Sequence, residues 1–396
     1  LWVLSGLIIL VVSVPFLLYV PFIQDFARKI AVEKVKEKTG MTIDVSYLRL
    51  HFPLNLEVDS LTVVEASGDT MVTAARADVS VKLMPLFRKE IEISSVGLRD
   101  AFYRMGTPDS AMYLTARIRQ FDADNTGIPL DFSNINLSDA MLDGGDIYLA
   151  LKDTVTAEKK DTAASKPLRI DAGNITLRNL RYRMVMLPTI DSLGAYIGEA
   201  KLTRGMVDTG RRLIDVERLS VDSVTAAYLT PSLAWLKSHP AKADTVKTET
   251  PDPSEAWTIK TRQLHLTAKD ALYAVRGVKP QPGFDPKYIR GGNIVIDVDS
   301  FYNRMSSIVV PLRHFAATER CGLSLMASGT FEMDSVIMQA RNFNFQTLRS
   351  NVYLDASMGM GDLTKDRNIP LSLKADGLIA ISDVLKFMPS MSSYLA

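Results

Sequence analysis

The sequence is poor in the residue types that carry most enzyme chemistry. Cysteine occurs once, at Cys321, so an intramolecular disulfide and a cysteine metal cluster are both excluded. A lone thiol of this kind reads as a small buried hydrophobe. The four histidines, His51, His239, His265 and His314, are scattered and make no His-Glu-x-x-His or His-x-His pattern. His265 stands between Leu264 and Leu266, which places it on the polar side of a strand. There is no Gly-x-Ser-x-Gly elbow, and no Ser/His/Asp set emerges from spacing. Asp122, Asp124 and Gly127 resemble the opening of a calcium loop, but Ser133 occupies the twelfth position, where a bidentate Glu is needed. Gly144-Gly145 and Gly291-Gly292 lack the context of a phosphate cradle and read as turns. Asp297 and Asp299 point the same way along a strand, but polar faces of strands supply such carboxylate pairs routinely. The expectation is a chain that is not an enzyme and uses no metal or cofactor.

Charge of one sign is also missing. Lys+Arg number 46 and Asp+Glu 45, a net charge of +1, so no basic footprint for nucleic acid is present. Sustained helical periodicity is nearly absent beyond residue 40. The exceptions are short stretches at Ser192–Ala200 or Ser232–Lys237, and at Ser382–Phe387.

What the sequence does contain begins with an apolar run. Leu1 to Ile23 carries no charged side chain. At ~1.5 Å per residue it spans roughly 34 Å as a helix, enough for a bilayer core of ~30 Å. Pro15 and Pro21 are tolerated in such helices, and Trp2 and Tyr19 suit the two interfaces, with Leu10 and Phe16 in the apolar interior. A signal peptide is the competing reading, but its apolar region is shorter, and Tyr19-Val20-Pro21-Phe22 is a poor cleavage site. Arg28, Lys29, Lys34, Lys36 and Lys38 come directly after the run, and by the positive-inside rule would hold the rest of the chain in the cytoplasm. Asp25, Glu33 and Glu37 lie among them and long domains translocate despite such charges, so orientation stays open. Residues 24–40 read as a short amphipathic helix with Phe26, Ile30 and Val35 on one stripe, ending at Gly40. It either lies on the membrane or plugs the end of the adjoining sheet. A start at Leu1 and an end at Ala396 suggest a piece of something longer.

From Met41 the dominant period is two, the signature of half-buried strands. Leu54, Leu56 and Val58 alternate with Asn55 and Glu57, and Val79, Val81 and Leu83 alternate with Ser80 and Lys82. The phase switches near Ser46, which suggests a bulge. A repeat runs through the chain. Leu130, Ile135 and Leu137 share their spacing with Ile170, Ile175 and Leu177, with Ile214, Leu219 and Val221, and with Ile259, Leu264 and Leu266. Ile93 and Leu98 make a partial earlier copy, and an aromatic comes after several copies, at Tyr103, Tyr182, Tyr228 and Tyr273. Leu98, Leu137, Leu177, Val221 and Leu266 are spaced 39 to 45 residues apart. A period of this length indicates two or three strands per unit, stacked on their neighbours because no unit buries its apolar face alone. Residues 153–166 and 231–256 are polar and loop-like. The second separates a first β region, 41–230, from a second, 257–396. The expected architecture is therefore all-β: an extended, curved, repeat-built antiparallel sheet forming a groove, preceded by one transmembrane helix and a short amphipathic helix. The twelve repeat residues are expected to line that groove, and lipid tails can cover such an apolar face.

The succession of membrane span, basic helix and Thr42-Ile43-Asp44-Val45 resembles the start of AsmA/TamB-like proteins. So does Leu61-Thr62-Val63, Gly68-Asp69-Thr70, Leu83-Met84-Pro85-Leu86-Phe87 and Glu90-Ile91-Glu92-Ile93. Gly283-Phe284-Asp285-Pro286, Gly322-Leu323-Ser324-Leu325 and Ser382-Asp383-Val384-Leu385-Lys386-Phe387-Met388-Pro389 resemble the long TamB-like members. The resemblance implies a bacterial inner-membrane anchor and a periplasmic β-groove that conducts phospholipid towards the outer membrane. It also implies an outer-membrane barrel or assembly factor as a candidate partner. The other reading is a scaffold that assembles outer-membrane proteins by β-strand pairing, without lipid transport.

Overall fold

The computed structural model describes residues 41–51, 54–65, 67–82, 92–129, 134–152, 167–187, 189–239, 256–360 and 369–395. The expected transmembrane helix at 1–23, with Trp2, Leu10, Phe16 and Tyr19, and the amphipathic helix at 24–40 lie outside the described residues, as does Leu130. Among the described residues no helix is long and apolar enough to cross a membrane.

Among the described residues the chain is all-β, with sixteen strands hydrogen-bonded in sequence order into an open sheet. Its residues group into two units, Leu1–Leu149 and Ala150–Ala396. The first unit holds β1 (Thr42–His51), β2 (Asn55–Val64), β3 (Thr70–Val81), β4 (Glu92–Met105), β5 (Met112–Pro129) and most of β6 (Asn134–Leu151). β1 to β5 pair antiparallel in turn. The phase switch read at Ser46 is present but is not a bulge: Val45 pairs with Leu61 and Tyr47 with Asp59 in an unshifted register, and between the two partners Ser60 takes φ 54°. Val45, Ala74, Ala77, Ala123 and Ala140 are the buried apolar residues of this unit.

The second unit holds β7 (Arg169–Met186), β8 (Asp191–Asp208), β9 (Leu213–Thr230), helix α1 (Leu233–Ser238) and β10 (Thr258–Val275). It continues with β11 (Tyr288–Arg304), β12 (Ser307–Glu319), β13 (Ser324–Met333), β14 (Ile337–Gln346), β15 (Asn351–Gly359) and β16 (Leu371–Leu378). It closes with α2 (Ile381–Phe387), a 3₁₀ turn at Pro389–Met391 and α3 (Ser392–Leu395). Three expectations are corrected here. The sheet is mostly rather than wholly antiparallel, because β9 and β10 run parallel. Only a long connection allows that, and residues 231–257, which include α1, supply it. Ser192–Ala200 is strand β8, not helix, because Leu193 and Ala195 pair with Tyr228 and Ala226. The glycine doublets are not turns: Gly144 sits inside β6 at φ +74°, and Gly291-Gly292 lies inside β11.

The repeat motif has an odd step, five residues, and then an even one. An uninterrupted strand would put such residues on opposite faces. The structure resolves this with two creases across the ladder. At the first, pairing skips from Ala172–Gly205 to Asn174–Thr203, from Val216–Thr261 to Arg218–Gln263, and from Thr261–Phe301 to Gln263–Asp299. Arg204 and Ser300 take positive φ there, at 50° and 57°. At the second, Asn179 and Ser223 do so, at 55° and 57°, and Gly198 lies against Ser223. Each crease reverses the faces that odd and even positions take, so the apolar positions of β7 stay together: Ile170 and Ala172, then Ile175 and Leu177, then Leu180, Tyr182 and Met184. Asn tolerates this backbone better than most residues.

Burial is shallow. The buried apolar residues of the second unit are small: Ala150, Ala200, Val216, Val224, Ala268, Ala274, Val298 and Ala327. Among the described residues no large side chain is fully buried. Where backbone and an aromatic ring come together across β13 and β14, glycine is required. Gly329 in β13 has φ +148°, and a Cβ there would stand 2.7 Å from Phe343 Cα and its ring on β14. Gly329→Ala is expected to lower stability by about 1–3 kcal/mol, read from the denaturant midpoint.

Candidate functional site: the apolar face and its capped end

The second unit brings the repeat residues into cross-strand rows. Directly opposed residues share a face. Leu177 stands opposite Ala200, Ala200 opposite Val221, Val221 opposite Leu266, Leu266 opposite Ile296 and Ile296 opposite Phe315. Two positions along, Ile175, Leu202, Leu219, Leu264 and Val298 form a parallel row. A third joins Ile170, Val207, Ile214 and Ile259. The repeat interval of 44 or 45 residues thus has a structural meaning: it returns the motif to the same row, across two antiparallel strands from β7 to β9 and by the parallel crossover from β9 to β10. All these motif side chains are half-exposed. Ile135 and Leu137 lie on β6 in the first unit and are half-exposed too.

The opposite face is a lattice of ion pairs. Glu199 binds Arg178 at 3.1 Å and Lys201 at 2.6 Å, and these two cations, Lys201 foremost, hold its carboxyl below the usual range. His265 lies on this face, as its position between two leucines required. Its Nδ1 is 2.7 Å from Asp297 and its Nε2 3.8 Å from Asp222. The His265 hydrogen bond lowers the Asp297 pKa. Arg313 reaches both Asp297 at 3.4 Å and Asp299 at 3.5 Å, so the two aspartates share a cation. Each exposed pair contributes at most about 1 kcal/mol, but together they keep this face wet and charged.

One end of the apolar face is covered. The loop 276–287 folds back over β10–β13, fixed by the buried Asp285, whose carboxylate accepts the N–H of Gln281 at 3.0 Å and of Lys287 at 2.9 Å. Those two bonds hold its pKa down. Arg320 donates to the carbonyls of Gln281 and Gly283, at 2.8 and 2.7 Å. The C-terminal segment meets this loop. Phe284 N–H donates to Phe387 O at 2.8 Å, and their rings stack 4.6 Å apart at 11°. Helix α2 is held to the β14–β15 turn through Asp383, which is buried and accepts the hydroxyls of Ser350 at 2.6 Å and Thr347 at 2.5 Å.

Under this cap lies a cavity of about 480 Å³. Its walls are almost wholly carbon, from Tyr228, Tyr273, Phe315, Leu325, Phe284 and Phe387 among others. Tyr228 and Tyr273, read as the aromatics that come after the repeat, are register partners and stack at 6.1 Å, and the Tyr228 hydroxyl donates to Asp191 at 3.2 Å. Gly291 lines the cavity, and its missing side chain makes room there. Cys321 and Glu319 are the polar exceptions. Burial, and after it a hydrogen bond to Glu319, pushes the Cys321 thiol above its usual pKa. The segments around Phe284, Leu323 and Phe387, far apart in sequence, thus converge on one cavity. Sequence reasoning missed the cavity and Glu319. The signal was the Gly-Phe-Asp-Pro loop, since an aromatic between a left-handed glycine and a turn-forming Asp-Pro has nowhere to bury except against a neighbouring surface.

These features define an all-β protein with one charged face and one apolar face, the latter capped at one end. The chain matches no family model, no curated protein and no solved structure.

The cap should respond to pH through Asp383. Its folded-state pKa is lowered by the Ser350 and Thr347 hydroxyls, so its contribution is present above the unfolded carboxyl value and lost as pH falls through the lower folded value. Asp383→Asn is expected to raise amide exchange across 381–391 by about tenfold at neutral pH while β7–β10 stay protected. Acidification of the unaltered chain should reproduce that pattern.

Proposed function

We propose that this chain is an AsmA/TamB-like protein, anchored in a bacterial inner membrane, whose β-sheet lies in the periplasm and conducts phospholipid along its apolar face towards the outer membrane. The observation that carries this reading is the set of unbroken apolar rows of β7–β12, half-exposed and with no second protein layer of large side chains over them among the described residues. Surface of this kind costs free energy in water unless something apolar covers it. An acyl chain faces the same cost: at ~0.8 kcal/mol per CH₂, two chains of ~15 methylenes cost on the order of 24 kcal/mol to expose. A continuous apolar row offsets most of that at every step and favours no single stopping point. The wet, ion-paired opposite face gives the sheet the polarity such a carrier needs, and no chemistry of bond making is called on.

Native mass spectrometry with lipid extraction on the full chain tests this. Co-purified phospholipid is expected, and the double variant Leu177→Asp, Leu266→Asp should lower it at least about tenfold with an unchanged β-sheet circular dichroism spectrum. A folded native chain that carries no lipid would sink the conduit.

One observation favours a second reading, a scaffold acting by strand pairing. Among the described residues β16 pairs only with β15, every one of its residues is exposed, and Leu371, Leu373 and Leu378 are 72, 64 and 78% exposed. An exposed apolar edge strand is a template for an incoming strand. Ala375→Pro in β16 is expected to abolish capture of an unfolded outer-membrane β-barrel polypeptide if that reading holds, and to leave phospholipid content unchanged if the conduit does.

A further inference from the structure

We infer that the cavity under the C-terminal cap binds an amphiphile whose apolar chain carries a protonated amine, with Glu319 as the counter-charge. The inference rests on the apolar-face reading for the chain of the ligand and adds its head.

The cavity, about 480 Å³, falls within the ~300–1,000 Å³ of small-molecule sites. Its lining is aromatic and aliphatic, and such a cavity by itself selects only for carbon. Glu319 breaks that pattern. It ends β12, directly opposite Gly291 of β11, on the same row as Ala226 and Ala271. Its Oε2 accepts the backbone N–H of Cys321 at 2.5 Å. Its Oε1 is shut off from water, and among the described residues nothing donates to it. The adjacent cation does not serve: the Arg320 guanidinium turns away to the carbonyls of Gln281 and Gly283 and lies 5.8 Å from the Tyr288 ring. The Cys321 thiol, which bonds to this carboxylate without reaching Oε1, is a weak donor and carries no positive charge.

A buried carboxylate oxygen without a donor is a standing cost, and an N–H or O–H brought to the Glu319 wall of the cavity removes it once the carboxylate turns that oxygen toward the ligand. An ammonium head does this best. It is compact, brings three donors and supplies the opposite charge. A hydroxyl head brings one donor and no charge, and a carboxylate head meets Glu319 with like charge in a medium that screens little. The shared chemistry, an alkyl chain with a primary ammonium, belongs both to single-chain amines and to the ethanolamine head of a phospholipid.

The test is titration of the full chain at neutral pH with dodecylamine, dodecan-1-ol and dodecanoate, read by native mass spectrometry. The amine is expected to bind about tenfold tighter than the alcohol, and the carboxylate weakest. Glu319→Gln should bring amine and alcohol to within about twofold of each other and leave the alcohol unchanged. Competition then separates the two sources. Displacement of dodecylamine by phosphatidylethanolamine but not phosphatidylglycerol assigns the head to a phospholipid, and displacement by neither assigns it to a single-chain amine. Should Glu319→Gln not fold, the ranking on the unaltered chain decides, and any order other than amine, alcohol, carboxylate overturns the inference. Equal binding of all three probes, with phospholipid still co-purifying, overturns this site and leaves the apolar-face reading standing. No bound probe and no co-purified lipid overturns both.

Discussion

Register is the constraint on which everything else in the second unit depends. A β-strand shows its side chains alternately to two faces, so a slip of one residue turns every apolar group outward. Here the motif itself contains an odd step, and one opposed pair must drop out of the ladder at the same level in each strand, with the register on either side unchanged at the first crease, for the apolar face to survive. The skipped pairs at Arg204, Arg262 and Ser300, and again at Asn179, Gly198 and Ser223, lie in line across β7–β11. Arg204 and Glu217, which would pair at the first crease, are joined instead through their side chains. The creases are therefore coordinated features of the sheet. Without them Ile170 and Leu177 would look in opposite directions.

A face assembled in this way is unusual in what it leaves undone. In a sandwich, a second layer would bury Leu264, Leu266 and Ile296. Here the apolar residues that become buried are alanines and valines close to the backbone, and the larger apolar side chains of the rows stay half-buried. The cap shows what completion looks like. Loop 276–287 and α2 place Phe284 and Phe387 over β10–β13, and the result is a cavity rather than a filled core. The same sheet thus offers a partly enclosed end, where one polar group is set against carbon, and open rows beyond it.

Much of this was legible in advance. Alternation gave the strand content, and the spacing of Ile170, Ile175 and Leu177 with its copies picked out the side chains that meet in rows. His265 and the Asp297–Asp299 pair read as ordinary polar-face residues and sit among ion pairs. The errors have physical causes. Ser192–Ala200 has small residues at spacings that suit a helix as well as a strand, and pairing with β9 decided it. The glycine doublets looked like turns because local sequence cannot tell a turn from a place where a strand must kink or leave room. The parallel β9–β10 pair could not be read from two similar motifs, since similarity carries no direction.

The sequence by itself determined that this is a β protein with a repeating apolar pattern, one sulfhydryl and a balanced charge, because those properties are local: period, composition and spacing are complete within the chain. Only the tertiary structure decided that the odd-stepped motif keeps to one face, that Gly283–Pro286, Gly322–Leu325 and Ser382–Pro389 close on a single cavity, and that Glu319 stands in its wall with an oxygen unmatched. These depend on which backbone groups pair across tens of residues, and that choice is set by the sum of many cross-strand contacts, each worth less than about 1 kcal/mol, which no single stretch of the chain contains.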